Sequence, residues 1–185
     1  LLTPHCAIIT NPGALSRKRE VVDVLETIKK YYNNIEFIYE PGTIEAGDIM
    51  MVGDHFYIGL SERTNQEGAR QMKCILNKYQ QEATNVILKD MLHLKTGVAY
   101  LENNILVATG EFVTNPIFKS FQMLEVEAEE SYAANCIWIN DHVIIPKGYP
   151  NAKWTIESAG YDTIEVDVSE FKKLDGGLSC LSLRF

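Results

Sequence analysis

Three short strings carry side chains that could do chemistry. Near the C-terminal end, Leu174-Asp175-Gly176-Gly177-Leu178-Ser179-Cys180-Leu181-Ser182 sets a cysteine three residues after a glycine pair. Glycines accept φ > 0 and let the backbone approach a ligand closely, so a cysteine entering a strand just beyond them is placed like a nucleophile. A second string, Met91-Leu92-His93-Leu94-Lys95-Thr96, offers an imidazole, the side chain that titrates near neutrality. The third, Pro41-Gly42-Thr43-Ile44-Glu45-Ala46-Gly47-Asp48, offers carboxylates where a loop gives way to a strand. Taken singly, each has an ordinary explanation: a buried small thiol, a satisfied core histidine, a solvated turn.

The elements that must position these side chains repeat one pattern of strand, polar turn, strand and helix. Ile49-Met50-Met51-Val52, the step Gly53-Asp54 and Phe56-Tyr57-Ile58-Gly59-Leu60 read as a tight hairpin. A helix is expected from about Asn65 to Gln81, with Ala69, Met72, Ile75, Leu76 and Tyr79 on one face. The hairpin recurs as Val98–Leu101 with Ile105–Ala108, followed by a short helix near Pro116 to Leu124. It recurs again as Cys136–Ile139 with Val143–Ile145, followed by a helix from about Ala152 to Ala159 that Gly160 closes. A partial first copy has the strand Ala7–Thr10 and a helix near Arg19 to Tyr31, and a last copy is cut short over Leu178 to Phe185. Units spaced by roughly 40 to 50 residues suggest circular repetition of a ββαβ module within an α/β fold. A single domain over residues 1–185 is expected, and the opening Leu1-Leu2-Thr3-Pro4, partway into a strand pattern, suggests that an N-terminal segment is missing.

Composition narrows the function classes. The chain has 185 residues, 46% hydrophobic and 23% charged, with a net charge of −8. Such a charge repels nucleic-acid backbones and anionic membranes, so neither is expected as a partner. No apolar run approaches the ~20 residues of a membrane span. The four cysteines, Cys6, Cys74, Cys136 and Cys180, are isolated, which argues against a metal site or a disulfide framework and for reduced thiols in the cytoplasm.

Together the strings resemble the dimethylarginine dimethylaminohydrolases of the guanidino-group modifying superfamily. The resemblance rests on Glu45 in G-T-I-E-A-G-D, His93 in L-H-L-K and Cys180 in D-G-G-L-S-C, in that order. Further matching text is Thr10-Asn11-Pro12-Gly13-Ala14-Leu15-Ser16-Arg17, Val52-Gly53, Ile58-Gly59-Leu60-Ser61-Glu62-Arg63-Thr64-Asn65 and Ala133-Ala134-Asn135-Cys136. It implies a five-bladed α/β propeller (pentein) of ββαβ modules, here an incomplete ring, with a central site. It further implies that Cys180 attacks a guanidinium carbon, that His93 protonates the departing amine and then activates water, and that Glu45 orients His93. Arg17 and Arg63 match the arginines that bind the substrate's α-carboxylate, and Leu174 and Asp175 fall in the substrate-facing loop. The chemistry is coherent. A resonance-stabilised guanidinium carbon needs a soft thiolate, a basic amine must leave protonated, and two arginines suit a bidentate grip on a carboxylate.

The resemblance places the acids that bind the guanidinium nitrogens upstream of Leu1. At the position where deiminases of the superfamily carry an aspartate in H-x-D stands Lys95, which cannot pair with a free guanidinium edge and so disfavours plain arginine. The implied activity is hydrolysis of Nω-methylated arginine to citrulline and a methylamine, with a small-molecule substrate and no cofactor. Arginine deimination, amidinotransfer and ligand binding without chemistry remain open as alternatives, as does the choice between monomer and homodimer.

Overall fold

Alternating apolar strands joined by turns of two or three residues generate small mixed sheets. The computed structural model describes residues 1–182. They fall into two compact units, Leu1–Leu88 and Lys89–Ser182.

The first unit opens with a parallel pair, β1 (Ala7–Ile9) and β2 (Ile35–Phe37), linked by helix α1 (Glu20–Ile28). A three-stranded sheet follows in the order β3-β4-β5, built from Ile49–Val52, His55–Leu60 and Glu82–Ile87. Strands β3 and β4 are antiparallel, closed by a two-residue turn that pairs Val52 with His55 and puts Gly53 at φ +58°. Strand β5 returns parallel to β4 through helix α2 (Gln66–Lys78). The sequence sets the limits of α2. Asn65 caps it by accepting the Gly68 N–H, and Ala69, Met72, Ile75 and Leu76 bury the expected face. That face joins Cys6, Ile8, Ile44, Ile49, Phe56 and Ile58 in one apolar core.

The second unit repeats the topology twice. Its sheets are β6-β7-β8 (Val98–Tyr100, Ile105–Ala108, Gln122–Glu125) and β9-β10-β11 (Ile137–Ile139, His142–Pro146, Asp162–Val166). Each has an antiparallel first pair and a parallel second pair. A short helix α3 (Leu94–Gly97) leads into β6, and helix α4 (Pro150–Ser158) joins β10 to β11. Asn140 and Asp141 both take positive φ at the turn between β9 and β10, and Gly160 at φ +93° ends α4 as expected. A second apolar core gathers Leu101, Val107, Val126, Ala133, Cys136, Val143, Ile145 and Ile156. Helix α5 (Ser169–Lys172) follows β11.

Two expectations about elements are corrected. The helix expected near Pro116 to Leu124 is a 3-10 turn, Pro116–Phe118, followed by strand β8. Parallel pairing with β7 claims those later residues. The strand expected from Leu178 is, over the described residues, a 3-10 turn (Leu178–Leu181); residues 183–185 lie outside them. The cause is local hydrogen bonding. The Ser179 N–H goes to the Asn135 side chain and the Cys180 N–H to the Gly177 carbonyl, so neither is left for a strand ladder. No described helix is long and apolar enough to cross a membrane.

Candidate active site

Glu45 is fixed by its neighbours on every side. The strap before it is pinned to the start of α2: Thr43 donates to Asn65 Oδ1 at 3.0 Å, and the Thr43 carbonyl accepts the Asn65 N–H at 3.0 Å. A methyl group on Gly68 would lie 2.1 Å from the Thr43 oxygen, so only glycine permits that approach. Ile44 donates to the Asn11 carbonyl and Glu45 N–H to Thr64 Oγ1. Glu45 is 4% exposed. One of its oxygens accepts the Ala14 N–H at 3.2 Å, and the other lies 3.3 Å from Arg17 Nη1.

Arg17 thus meets Glu45 directly. It also grips Glu20 through Nε and Nη2 at 3.0 to 3.2 Å, and its side chain stays about half exposed. Arg63 lies in the loop after β4, in the same unit. Its main chain is packed so tightly against Gly13 that an added methyl would sit 2.4 Å from the Arg63 carbonyl oxygen. Between Glu45 and Arg63 stands a carboxylate to which sequence reasoning gave no role. Asp48 is fully buried and accepts the hydroxyls of Ser61 at 2.8 Å and Thr64 at 2.6 Å. The Ser61 oxygen in turn takes the N–H groups of Arg63 and Thr64. One buried anion therefore organises both the Arg63 loop and the hydroxyl that holds the Glu45 main chain. Its signal was faint: an acid immediately before the apolar run Ile49-Met50-Met51-Val52.

In the second unit, His93 caps α3 in an extended conformation, half-buried, with its carbonyl accepting the Thr96 N–H at 3.1 Å. Cys180 sits in the 3-10 turn with an exposed thiol. Both segments rest on the same piece of chain. Helix α3 packs against the turn Ala128–Ala134, and Asn135, which ends that turn, accepts the Ser179 N–H at 2.9 Å. Tyr132 in the same turn donates to the Gly176 carbonyl at 2.5 Å. Burial pushes the Tyr132 phenol above its usual range, helped by neighbouring Tyr149 and Cys180. Leu174 is 86% exposed, and Asp175 is exposed with φ +57°.

The glycine pair works differently from expectation. Gly177 has φ −113°, not a left-handed value, and it is Asp175 that turns left-handed. Glycine at 177 answers a close approach by protein: an added methyl would lie 2.4 Å from Asn135 Nδ2. Of the other thiols, Cys74 is also exposed, whereas Cys6 and Cys136 are buried. Burial raises Cys6 and pushes Cys136 up to about 12, which keeps both protonated. Among the described residues no three His, Cys, Asp or Glu side chains gather as a metal site would require.

Comparison with known proteins bears on this geometry. The arginine deiminase family model matches residues 26–143. An N(G),N(G)-dimethylarginine dimethylaminohydrolase of Pseudomonas aeruginosa is 58% identical over 186 residues, covering 100% of this chain and 73% of the relative. A solved structure of the Pseudomonas aeruginosa enzyme, a cysteine-to-serine variant complexed with citrulline, superposes with a TM-score of 0.98 at 57% identity, over 100% of this chain and 73% of that one. A histidine-to-glycine variant of a dimethylarginine dimethylaminohydrolase, as its adduct with S-methyl-L-thiocitrulline, matches with the same TM-score, identity and coverage. The fold is the mixed α/β arrangement of ββαβ modules of these enzymes, of whose length this chain spans 73%. Sequence and fold agree over the whole length: the chain belongs to the dimethylarginine dimethylaminohydrolase family.

Proposed function

We propose that this protein hydrolyses Nω-methylated arginine to citrulline and methylamine or dimethylamine. The observation that carries the proposal is the identity, spread over the entire chain, to an enzyme named for that reaction. In this reading the Cys180 thiolate attacks the guanidinium carbon and a C–S bond forms. The C–N bond to the alkylamine breaks, and the amine leaves with a proton from His93. His93 then takes a proton from water, whose oxygen attacks the S-alkylthiouronium carbon. The C–S bond breaks, the thiolate returns and citrulline departs. Glu45 orients His93; Arg17 and Arg63 hold the α-carboxylate; Leu174 and Asp175 line the substrate. Thiolate and imidazole suffice for both steps, so the reading calls for no cofactor.

The exposure of the Cys180 thiol supports a role as nucleophile, and the tethering of Arg17 and Arg63 around Glu45 supports a shared function. Residues 1–185 are read as one catalytic domain working in the cytoplasm, as a monomer or a homodimer, where its isolated thiols stay reduced. The match to the arginine deiminase model favours a second reading, in which plain arginine loses ammonia through the same intermediate. Lys95, two residues after His93 in α3, weighs against it, because a lysine cannot pair with the free edge of an unsubstituted guanidinium.

Turnover of Nω,Nω-dimethylarginine and of arginine by the purified protein separates the two. Citrulline should form from the methylated substrate and fall by roughly 10⁴-fold or more in Cys180→Ser. Equal or faster turnover of arginine would move the assignment to deimination. Undiminished citrulline from Cys180→Ser would end both.

A further inference from the structure

The segment that delivers His93 is held by a side chain that takes no part in the chemistry above. Glu111 lies in the 3-10 turn Gly110–Phe112 just after β7, where Gly110 at φ +56° bends the chain. Its carboxylate accepts three consecutive main-chain N–H groups. Oε1 takes those of Lys89 at 3.2 Å, Asp90 at 3.0 Å and Met91 at 3.1 Å, and Oε2 takes Lys89 again at 2.9 Å. Successive N–H groups converging on one point form a concave anion site, and here the protein fills it with its own carboxylate.

The same two segments are locked a second time by packing. The Met91 methyl lies where a side chain on Gly110 or Gly97 would have to go, 3.0 and 3.2 Å from an added methyl, and the Phe112 ring would lie 2.9 Å from one on Gly97. His93 therefore stands between two anchored points. Glu111 fixes the chain up to Met91, and the buried Leu94 and Gly97 fix it beyond.

We propose that Glu111 is a positioning residue for His93: it sets where the imidazole stands by fixing the turn at residues 89–91, and it does so without touching substrate. The proposal rests on the reading of His93 as the proton carrier. A misplacement of about 1 Å far from the reacting atoms can cost on the order of 10²-fold in rate. Loss of a purely structural hydrogen-bond acceptor would instead lower stability and leave turnover per folded molecule unchanged.

The test uses the purified protein with Glu111→Ala, Glu111→Gln and, as control, Cys180→Ser. Turnover of Nω,Nω-dimethylarginine is measured, with thermal melting to confirm that each variant folds. Glu111→Ala should lower kcat by roughly 10- to 100-fold and leave KM within about twofold. Glu111→Gln keeps an oxygen for the three N–H groups and should recover most of the loss. The proton NMR signals of the four histidine rings give a readout that needs no turnover: His93 should shift in Glu111→Ala while His5, His55 and His142 stay in place. An unmoved His93 signal, or a kcat within twofold of the parent, overturns the proposal. If Cys180→Ser turns over like the parent, the reading of the site has failed, and the His93 signal alone then judges Glu111.

Discussion

Removing the Asp48 carboxylate should be among the most damaging single changes in the first unit. Asp48 is wholly buried and accepts two hydroxyl hydrogen bonds, from Ser61 at 2.8 Å and Thr64 at 2.6 Å. Hydrogen bonds to a charged group contribute about 1.5 to 3 kcal/mol each, so the pair is worth about 3 to 6 kcal/mol. Part of that is offset because the variant no longer buries an anion. The net cost of Asp48→Ala comes to about 2 to 5 kcal/mol, a large share of the ~5 to 15 kcal/mol that holds a typical domain folded. In a chain of this size that is a fall of roughly 10 °C in Tm. Asp48→Asn should be far milder, because both hydroxyls address the same oxygen, Oδ2, and an amide oxygen there can accept both. Urea unfolding of the parent, Asp48→Ala and Asp48→Asn, with a double-mutant cycle against Ser61→Ala, measures the coupling. A cost below about 1 kcal/mol for Asp48→Ala, or additivity with Ser61→Ala, would refute the claim that this carboxylate organises the loop.

Other consequences are open to measurement. In Gly177→Ala the new methyl must displace the Asn135 amide that holds Ser179, so turnover should fall by roughly 10-fold or more; unchanged turnover would count against that contact. Iodoacetamide at mild pH should label Cys74 and Cys180, both exposed, well before Cys6 and Cys136, whose thiols burial keeps protonated; peptide mass spectrometry reads the order. Cys136 should also shape alkaline stability. Its folded value of about 12 lies above the unfolded one near 9, so below pH 9 the thiol is neutral in both states and its contribution is intact. Between pH 9 and 12 only the unfolded chain ionises, and stability should fall by up to about 4 kcal/mol. Cys136→Ala should flatten that slope in pH-dependent urea unfolding, and an unchanged slope would contradict it.

Much of the architecture can be read residue by residue. The hairpins were legible because alternation and turn chemistry act locally: Gly53 and the pair Asn140-Asp141 adopt the positive φ that their types favour. Helix α2 was legible through its Asn65 cap and its apolar face. The miss at Pro116 to Leu124 has a tertiary cause, since apolar residues there fit helical spacing until β7 recruits them as a parallel strand. Cys180 was found by its glycine-rich approach, but its 3-10 conformation depends on Asn135, 44 residues from Ser179. Asp48, Glu111 and Asn135 share a reason for having been given no role. Each acts by accepting main-chain or hydroxyl donors supplied from elsewhere in the chain, and main-chain donors leave no trace in the residue types of the segment that offers them.

The double engagement of Arg17 changes what its proposed ligand must do. Its guanidinium already lies between the buried Glu45 and the exposed Glu20, so a carboxylate taking the Nε–Nη2 edge would exchange with Glu20. A swap leaves the tally of ion pairs nearly constant. Little counter-charge is released to bulk water, and the Glu20 pair being exchanged is a solvent-exposed one of ~0 to 1 kcal/mol. This arm of recognition would therefore act as a selector for shape and sign, nearly indifferent to ionic strength, and most of the grip on an amino acid would fall to its other contacts.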